Sequence, residues 1–168
     1  MGAYENARGT NLHNSSINVA TTGNDSASVG LSTAPFATIQ AAIDYSQDGD
    51  TVSVTAGTYP ENIRYNGKNI VIKSASGAST TTISPSNNSV PTVWFTDNET
   101  SSAKLSGFTI SGGGNIRGSG IKSEGHSKPI IENCIITNCS GEAAIAFSSS
   151  GATLNNCLIY NNSSSRVF

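Results

Sequence analysis

The side chains in this 168-residue sequence that best fit ligand chemistry are Trp94, Lys122 and Glu124. An exposed indole ring stacks against a sugar ring, and an ammonium or carboxylate group beside it hydrogen-bonds the sugar hydroxyls. These three residues are therefore the candidate carbohydrate-binding set. The alternative is that Trp94 is buried under the loop at residues 84–91.

The remaining reactive side chains are sparse. The three cysteines, Cys134, Cys139 and Cys157, are odd in number, and their spacing fits neither a metal knuckle nor a disulfide framework. They are predicted to be core or turn residues. His13 and His126 have no partner in the sequence pattern and are predicted to be solvated. No metal site is predicted.

Trp94 lies far from Lys122 and Glu124 in the sequence, so a structural repeat is needed to bring these residues together. Segments that begin at residues 105, 131 and 154 share the pattern apolar, any, Asn or Gly, apolar, any, apolar, which gives a period of about 25 residues. A second type of segment recurs at 120–124 and 144–148. A period this short, built from short strands, fits one turn of a β-solenoid. Equivalent residues in successive turns then stack as ladders.

One helix is predicted before the coils. Phe36, Ile39 and Ile43 fall on one face of a helix over residues 36–46, with Ser32 or Thr33 available to cap its start. A β-solenoid exposes an apolar cross-section at each end, and an amphipathic helix can cover it. The sequence therefore predicts an all-β solenoid of about four coils with an N-terminal capping helix.

The Asn and Gly residues of the repeat have a structural role. A tight bend between two strands requires a positive φ, which Gly and Asn tolerate best, and stacked Asn side chains can hydrogen-bond from coil to coil. One ladder is predicted at Gly107, Asn133 and Asn156, and a second at Asn138 and Asn161. The alternative is that these are ordinary loop residues in an Asn-rich chain.

Composition narrows the class of partner. Charged residues make up 12% of the chain, the net charge is −2 and the pI is near 5.6. This charge provides no basic face for a phosphate backbone, so nucleic-acid binding is not expected. No apolar stretch reaches the roughly 20 residues of a membrane span. The first residues do not form a signal peptide. If the protein is exported, its signal lies outside this chain.

Several segments resemble a known family. Residues 34–43, 48–52, 56–59 and 61–63 are similar to the opening of pectate-lyase-like right-handed parallel β-helices, and the later repeats look like the parallel β-helix repeat of surface proteins. The resemblance covers residues 17–162. It implies a right-handed parallel β-helix and a secreted or cell-surface location. It does not select one function, because this fold hosts lyases, hydrolases, esterases and proteins without chemistry.

The resemblance also implies what a catalytic member would need. A lyase of this type holds calcium with clustered carboxylates and uses Arg or Lys as a base. The side chains available here are scattered: Asp97, Glu99, Arg117, Lys122 and Glu124. An esterase needs two facing Asp residues and an Arg, but the matching strands provide Lys122, Glu124, Ala146 and Ser148. We therefore expect no catalytic residues and no cofactor, with calcium and polysaccharide lyase activity only if the chain is lyase-related.

The two ends complete the predicted organisation. Met1 to Glu5 resembles the C-terminal ending of bacterial β-helix modules, so residues 1–16 are predicted to be a tail from a preceding module. Residues 17–50 are predicted to hold the first strand and capping helix, and 51–168 the coils, open at the C-terminal end. An open end would favour a homodimer through residues near 144–168, with Val167 and Phe168 as a partial lid.

Three functions are consistent with these predictions. The first is a non-catalytic module of a secreted or cell-surface protein, structural or in contact with a polysaccharide. The second is the N-terminal portion of a polysaccharide lyase or glycoside hydrolase whose catalytic coils lie outside this chain. The third is a β-solenoid unit that assembles end to end.

Overall fold

The computed structural model describes residues 13–114 and 118–164, with the side chain of residue 164 excluded. One helix and seventeen short strands are found there. In chain order they are β1 Ser16–Val19, α1 Ile39–Tyr45, β2 Thr51–Val54, β3 Gly57–Pro60, β4 Ile63–Arg64, β5 Val71–Ser74, β6 Thr81–Ser84, β7 Val93–Phe95, β8 Lys104–Ser106, β9 Thr109–Ser111, β10 Ile121–Ser123, β11 Ile130–Glu132, β12 Ile135–Thr137, β13 Ser140–Gly141, β14 Ile145–Phe147, β15 Thr153–Asn155, β16 Leu158–Tyr160 and β17 Ser163–Ser164.

The strands form three main sheets that wrap around one core. The first sheet has the order β1-β2-β5-β8-β11-β15, the second β3-β6-β9-β12-β16 and the third β4-β7-β10-β14, while β13 pairs with β17. Every pairing between these strands is parallel, and each joins one coil to the next. The chain is a parallel β-helix of about four coils, which confirms the predicted fold class.

The core consists of ladders of apolar side chains. In the first sheet, Val52, Ile72, Leu105 and Ile131 stack in register and are fully buried. The other two sheets contribute equivalent ladders from alternate residues of their strands. Each buried aliphatic side chain contributes roughly 1.5–3 kcal/mol. Since successive side chains of a strand point to opposite faces, the residues next to these buried positions face outward.

The helix is shorter than predicted. It begins after Thr38, whose hydroxyl accepts a hydrogen bond from the Ala41 amide at 3.2 Å, so Ser32 and Thr33 are not its cap. The Asp25 carboxylate accepts hydrogen bonds from the amides of Ala37 (2.7 Å) and Thr38 (3.1 Å). These bonds hold the preceding residues extended. Phe36 consequently lies outside the helix and pairs with Val19 beside the first sheet.

Two charged residues of the first coil hold the helix at both ends. The Glu61 carboxylate accepts hydrogen bonds from the amides of Ile39 and Gln40, each at 2.8 Å. Burial raises the pKa of the Glu61 carboxyl. The Lys68 ammonium donates to the carbonyls of Ile43 (2.6 Å), Asp44 and Ser46 (both 2.8 Å). These bonds satisfy backbone groups that a helix leaves unpaired at its termini.

The two ends of the described solenoid differ. At the N-terminal end, Ile39, Ala42 and Ile43 of the helix are buried against β1, β2 and β4. At the other end, Phe147 and Ile159 occupy inward positions but are 46% and 49% exposed, because no described coil stacks on them. The predicted tail contacts of residues 1–12, and those of Val167 and Phe168, lie outside the described residues.

Candidate functional site

The candidate site lies on the outward face of the third sheet. The register of its strands places Arg64, Trp94, Lys122 and Ala146 in one row, each from a successive coil. The inward positions on either side of Trp94 are the fully buried Val93 and Phe95. The row must therefore point away from the core, since successive side chains of a strand face opposite sides.

Two cations pack against the indole ring. The Arg64 guanidinium carbon lies 5.0 Å from the centroid of the Trp94 ring, and the Lys122 ammonium lies 5.2 Å from it. The two residues come from strands on opposite sides of β7, so the ring is sandwiched between them. Each such cation–π contact stabilises an exposed site by about 0.5–1 kcal/mol.

Carboxylates pair with both cations. Glu124 accepts a hydrogen bond from Trp94 Nε1 at 3.0 Å and forms an ion pair with the Lys122 ammonium at 2.8 Å. Asp97 lies 3.2 Å from the Arg64 guanidinium. We call this surface the Trp94 face, and it consists of Arg64, Trp94, Thr96, Asp97, Lys122 and Glu124.

A hydroxyl completes the Arg64 side of this face. Thr96 Oγ1 accepts hydrogen bonds from Arg64 Nε (3.1 Å) and Nη2 (2.8 Å), and donates to Asp97 Oδ2 at 2.6 Å. The Arg64 and Asp97 side chains are 46% and 47% exposed, whereas Lys122 and Glu124 are 18% and 30% exposed. A ligand would therefore meet Arg64 and Asp97 most readily.

The structure brings the three predicted binding residues into direct contact. Trp94 is half-buried, and its ring is covered by side chains from neighbouring coils. Arg64 was not among the predicted binding residues. The alignment of Ile63 with Val93 and Ile121 would have placed Arg64 beside Trp94. This sequence pattern is weak because β4 has only two residues.

Other residues predicted as lyase candidates lie elsewhere. Glu99 is fully buried and accepts hydrogen bonds from the amides of Gly67 and Asp97, each at 3.0 Å, and from the Ser127 hydroxyl at 2.5 Å. It is thus occupied by the backbone of neighbouring coils. Arg117 lies outside the described residues. Within 13–114 and 118–164, no three His, Cys, Asp or Glu side chains converge as metal ligands would.

The two histidines differ. His126 is exposed and has a positive φ of 63°. The prediction that His13 is solvated was wrong. Its Nε2 atom lies 2.5 Å from Asp50 Oδ2, and its ring stacks on Tyr45 with centroids 5.2 Å apart. Asp50 follows the helix by a short turn, so this contact joins the chain before β1 to the capping helix.

The cysteines are structural. All three are free thiols, and Cys134 and Cys139 are buried. Burial raises the pKa of the Cys134 thiol to about 12 and that of Cys139 to about 11. Because the thiolate is the reactive form, burial makes these two side chains poor nucleophiles.

The Asn and Gly residues of the repeat occupy the bends on both sides of the second sheet. Gly107, Asn133 and Asn156 have φ values of 77°, 54° and 48°, and Asn138 and Asn161 have 55° and 52°. Asn156 Nδ2 donates to Asn133 Oδ1 at 2.7 Å. The amide side chains of successive coils therefore hydrogen-bond directly at the first of these bends.

Gly107 provides a test of this ladder. A Cβ atom added there would make ordinary contact with Ser74 Cβ at 3.5 Å, and Asn already adopts this backbone conformation in the next two coils. We expect Gly107→Asn to change stability little in urea denaturation, because the strain of a side chain at positive φ offsets the restriction of the unfolded chain and the added amide partner for Asn133. Gly107→Ala, which lacks the amide, should cost about 1 kcal/mol. Equal losses in both variants would contradict the ladder interpretation.

The stacked coils and the capping helix define this chain as a parallel β-helix protein. Residues 21–73, about a third of the chain, match a family of β-helix proteins described as "Protein of unknown function (DUF1565)". The matched segment includes the helix and the first coil. No curated protein and no solved structure matches the chain. Within the described residues, no helix has the length and apolar character needed to cross a membrane.

Proposed function

We propose that this chain is a non-catalytic β-helix module of a secreted or cell-surface protein, and that its Trp94 face contacts a glycan. The observation that carries the proposal is the row of Arg64, Trp94 and Lys122 on three successive coils. Regular coils give such a row a fixed spacing along the sheet, which suits an extended polymer with repeating hydroxyl groups. The proposed location rests on the resemblance of the sequence to the parallel β-helix repeat of surface proteins.

The pairing of the charges favours a binding role over a lyase role. A basic residue that removes a proton must be close to the substrate and free to accept that proton. Lys122 is held by Glu124 at 2.8 Å, and Arg64 is held by Thr96 and Asp97. Both cations are therefore paired with neighbours on the same face, and neither is free to act as a base. This favours a surface that binds by hydrogen bonds.

Lys122→Ala is expected to lower glycan affinity about tenfold, because it removes a charged hydrogen-bond donor from the Trp94 face. Binding on a glycan array and by titration calorimetry would measure the loss. Lys73→Ala is the matched control, since Lys73 is an exposed strand residue of the first sheet. Equal effects of the two substitutions would place the glycan elsewhere. Release of unsaturated uronate from pectate by this chain would support the lyase alternative instead.

A second proposal concerns the exposed end formed by β14, β15 and β16. Phe147 and Ile159 expose apolar area at inward positions, and the strand edges beside them have no described neighbour on that side. We propose that a second copy covers this end. A twofold contact between two identical ends would bury both apolar cross-sections and bring strand edges of the two copies together.

Sedimentation analysis would test this contact. The protein is expected to shift from monomer toward dimer as its concentration rises, whereas Ile159→Asp should remain monomeric because a charge at the contact centre is costly to bury. Leu158→Asp is a suitable control, since Leu158 lies next to Ile159 but on the outward side of β16. A parent protein that stays monomeric at millimolar concentration would contradict the proposal.

A further inference from the structure

We infer that the Trp94 face selects neutral glycans and discriminates against acidic ones, an inference that rests on the proposed glycan contact. Its basis is the way in which charge and hydrogen-bonding groups are distributed over the face. Neither the fold nor the family match specifies the chemical class of glycan.

The cations of this face are neutralised internally. Arg64 pairs with Asp97 at 3.2 Å and Lys122 with Glu124 at 2.8 Å, so the two positive side chains are matched by two carboxylates. A uronate group that bound either cation would lie beside the carboxylate that already pairs with it. Like charges at such short range repel, which weakens binding of an acidic sugar.

The surroundings of Arg64 add negative charge. Gln40 Oε1 accepts a hydrogen bond from the Arg64 amide at 2.8 Å, and Gln40 Nε2 donates to Asp44 Oδ1 at 2.9 Å. The exposed Asp44 carboxylate therefore lies beside the start of the row. At the other end, the row finishes at Ala146, which carries no charge. No cation of the row is thus left over for an acidic sugar.

The indole ring cannot supply the usual stacking platform while Arg64 and Lys122 cover it from both sides. Binding must therefore depend on the polar groups around the ring. Arg64 is a donor and Asp97 is an acceptor, whereas the Thr96 hydroxyl already accepts from Arg64 and donates to Asp97. Sugar hydroxyls are both donors and acceptors, so a neutral chain can join this network without removing an ion pair.

A glycan array that carries neutral polysaccharide fragments beside uronate-containing fragments of matched length tests the inference. The parent protein is expected to bind its best neutral fragment at least about tenfold more tightly than any uronate fragment. The double variant Asp97→Asn, Glu124→Gln preserves side-chain size while freeing both cations. It should gain about tenfold in affinity for oligogalacturonate, and this gain should disappear as salt is raised.

The outcomes are distinct. A parent protein that prefers uronate fragments would overturn the inference but leave the proposed glycan contact in place. Binding to no fragment would overturn both. A double variant that folds normally by circular dichroism and keeps the parent's preference would show that charge pairing does not set the selectivity, which also overturns the inference.

Discussion

Replacing Ile136 by aspartate is expected to unfold the protein. Ile136 is fully buried in the second sheet, where it stacks between Ile110 and Ile159 of the neighbouring coils. The substitution removes roughly 1.5–3 kcal/mol of apolar burial. It also buries a carboxylate without a partner, which adds a cost of several kcal/mol. Together these losses approach the roughly 5–15 kcal/mol that stabilises a typical domain.

Ile135→Asp is the control for this experiment. Ile135 is the adjacent residue of β12, pairs with Thr109 and Leu158, and faces outward. Circular dichroism should show a cooperative thermal transition for Ile135→Asp and little ordered structure for Ile136→Asp. If both variants melted like the parent, the inward and outward assignment of the second sheet would be wrong.

The fold was predictable because every coil must repeat the same constraint. Ile110, Ile136 and Ile159 stack in one ladder, so each coil needs an apolar side chain at that position. The requirement leaves a periodic pattern in the sequence after residue 104. Before that point the coils are joined by connections of unequal length, and there the apolar pattern alone did not fix the strand boundaries.

Polar contacts were harder to predict, because they join residues whose separation the repeat does not determine. His13 meets Asp50 across 37 positions. Arg64 reaches Thr96 across 32 positions, from a strand of only two residues. The contact of Trp94 with Glu124 was accessible, since the strand at Val93–Phe95 resembles the type of segment that recurs at 120–124 and 144–148 and pairs in register with the first of them. The start of the helix was missed because Asp25, far outside it, fixes the preceding backbone.

Glu99 illustrates a residue whose role only the structure reveals. From the sequence it is one more carboxylate near Asp97, but its side chain is fully buried. It accepts hydrogen bonds from Gly67, which follows the first coil's last strand, from Asp97 in its own coil, and from Ser127 in the next. One carboxylate therefore ties three successive coils together at the bends beside the third sheet.

We expect Glu99→Gln to lower the free energy of unfolding by about 2–3 kcal/mol. The amide has the same size, so little packing is lost. Its NH₂ group, however, replaces a carboxylate oxygen and must face a backbone or hydroxyl group that donated a hydrogen bond to that oxygen. This replaces a charge-assisted hydrogen bond with an unsatisfied buried donor. Glu99→Ala should cost more, about 3–5 kcal/mol, because it leaves every donor without its partner and opens a cavity.

Urea denaturation of the two variants would measure these losses, with Glu124→Gln as the matched control. Glu124 undergoes the same chemical change beside the same sheet, but its side chain is 30% exposed, and its contacts with Trp94 and Lys122 lie at the surface. Its substitution should change stability by no more than about 0.5 kcal/mol. If Glu99→Gln were as mild as Glu124→Gln, the buried carboxylate would not be holding the coils together. The three bends would then have to be stabilised by their backbone pairing alone.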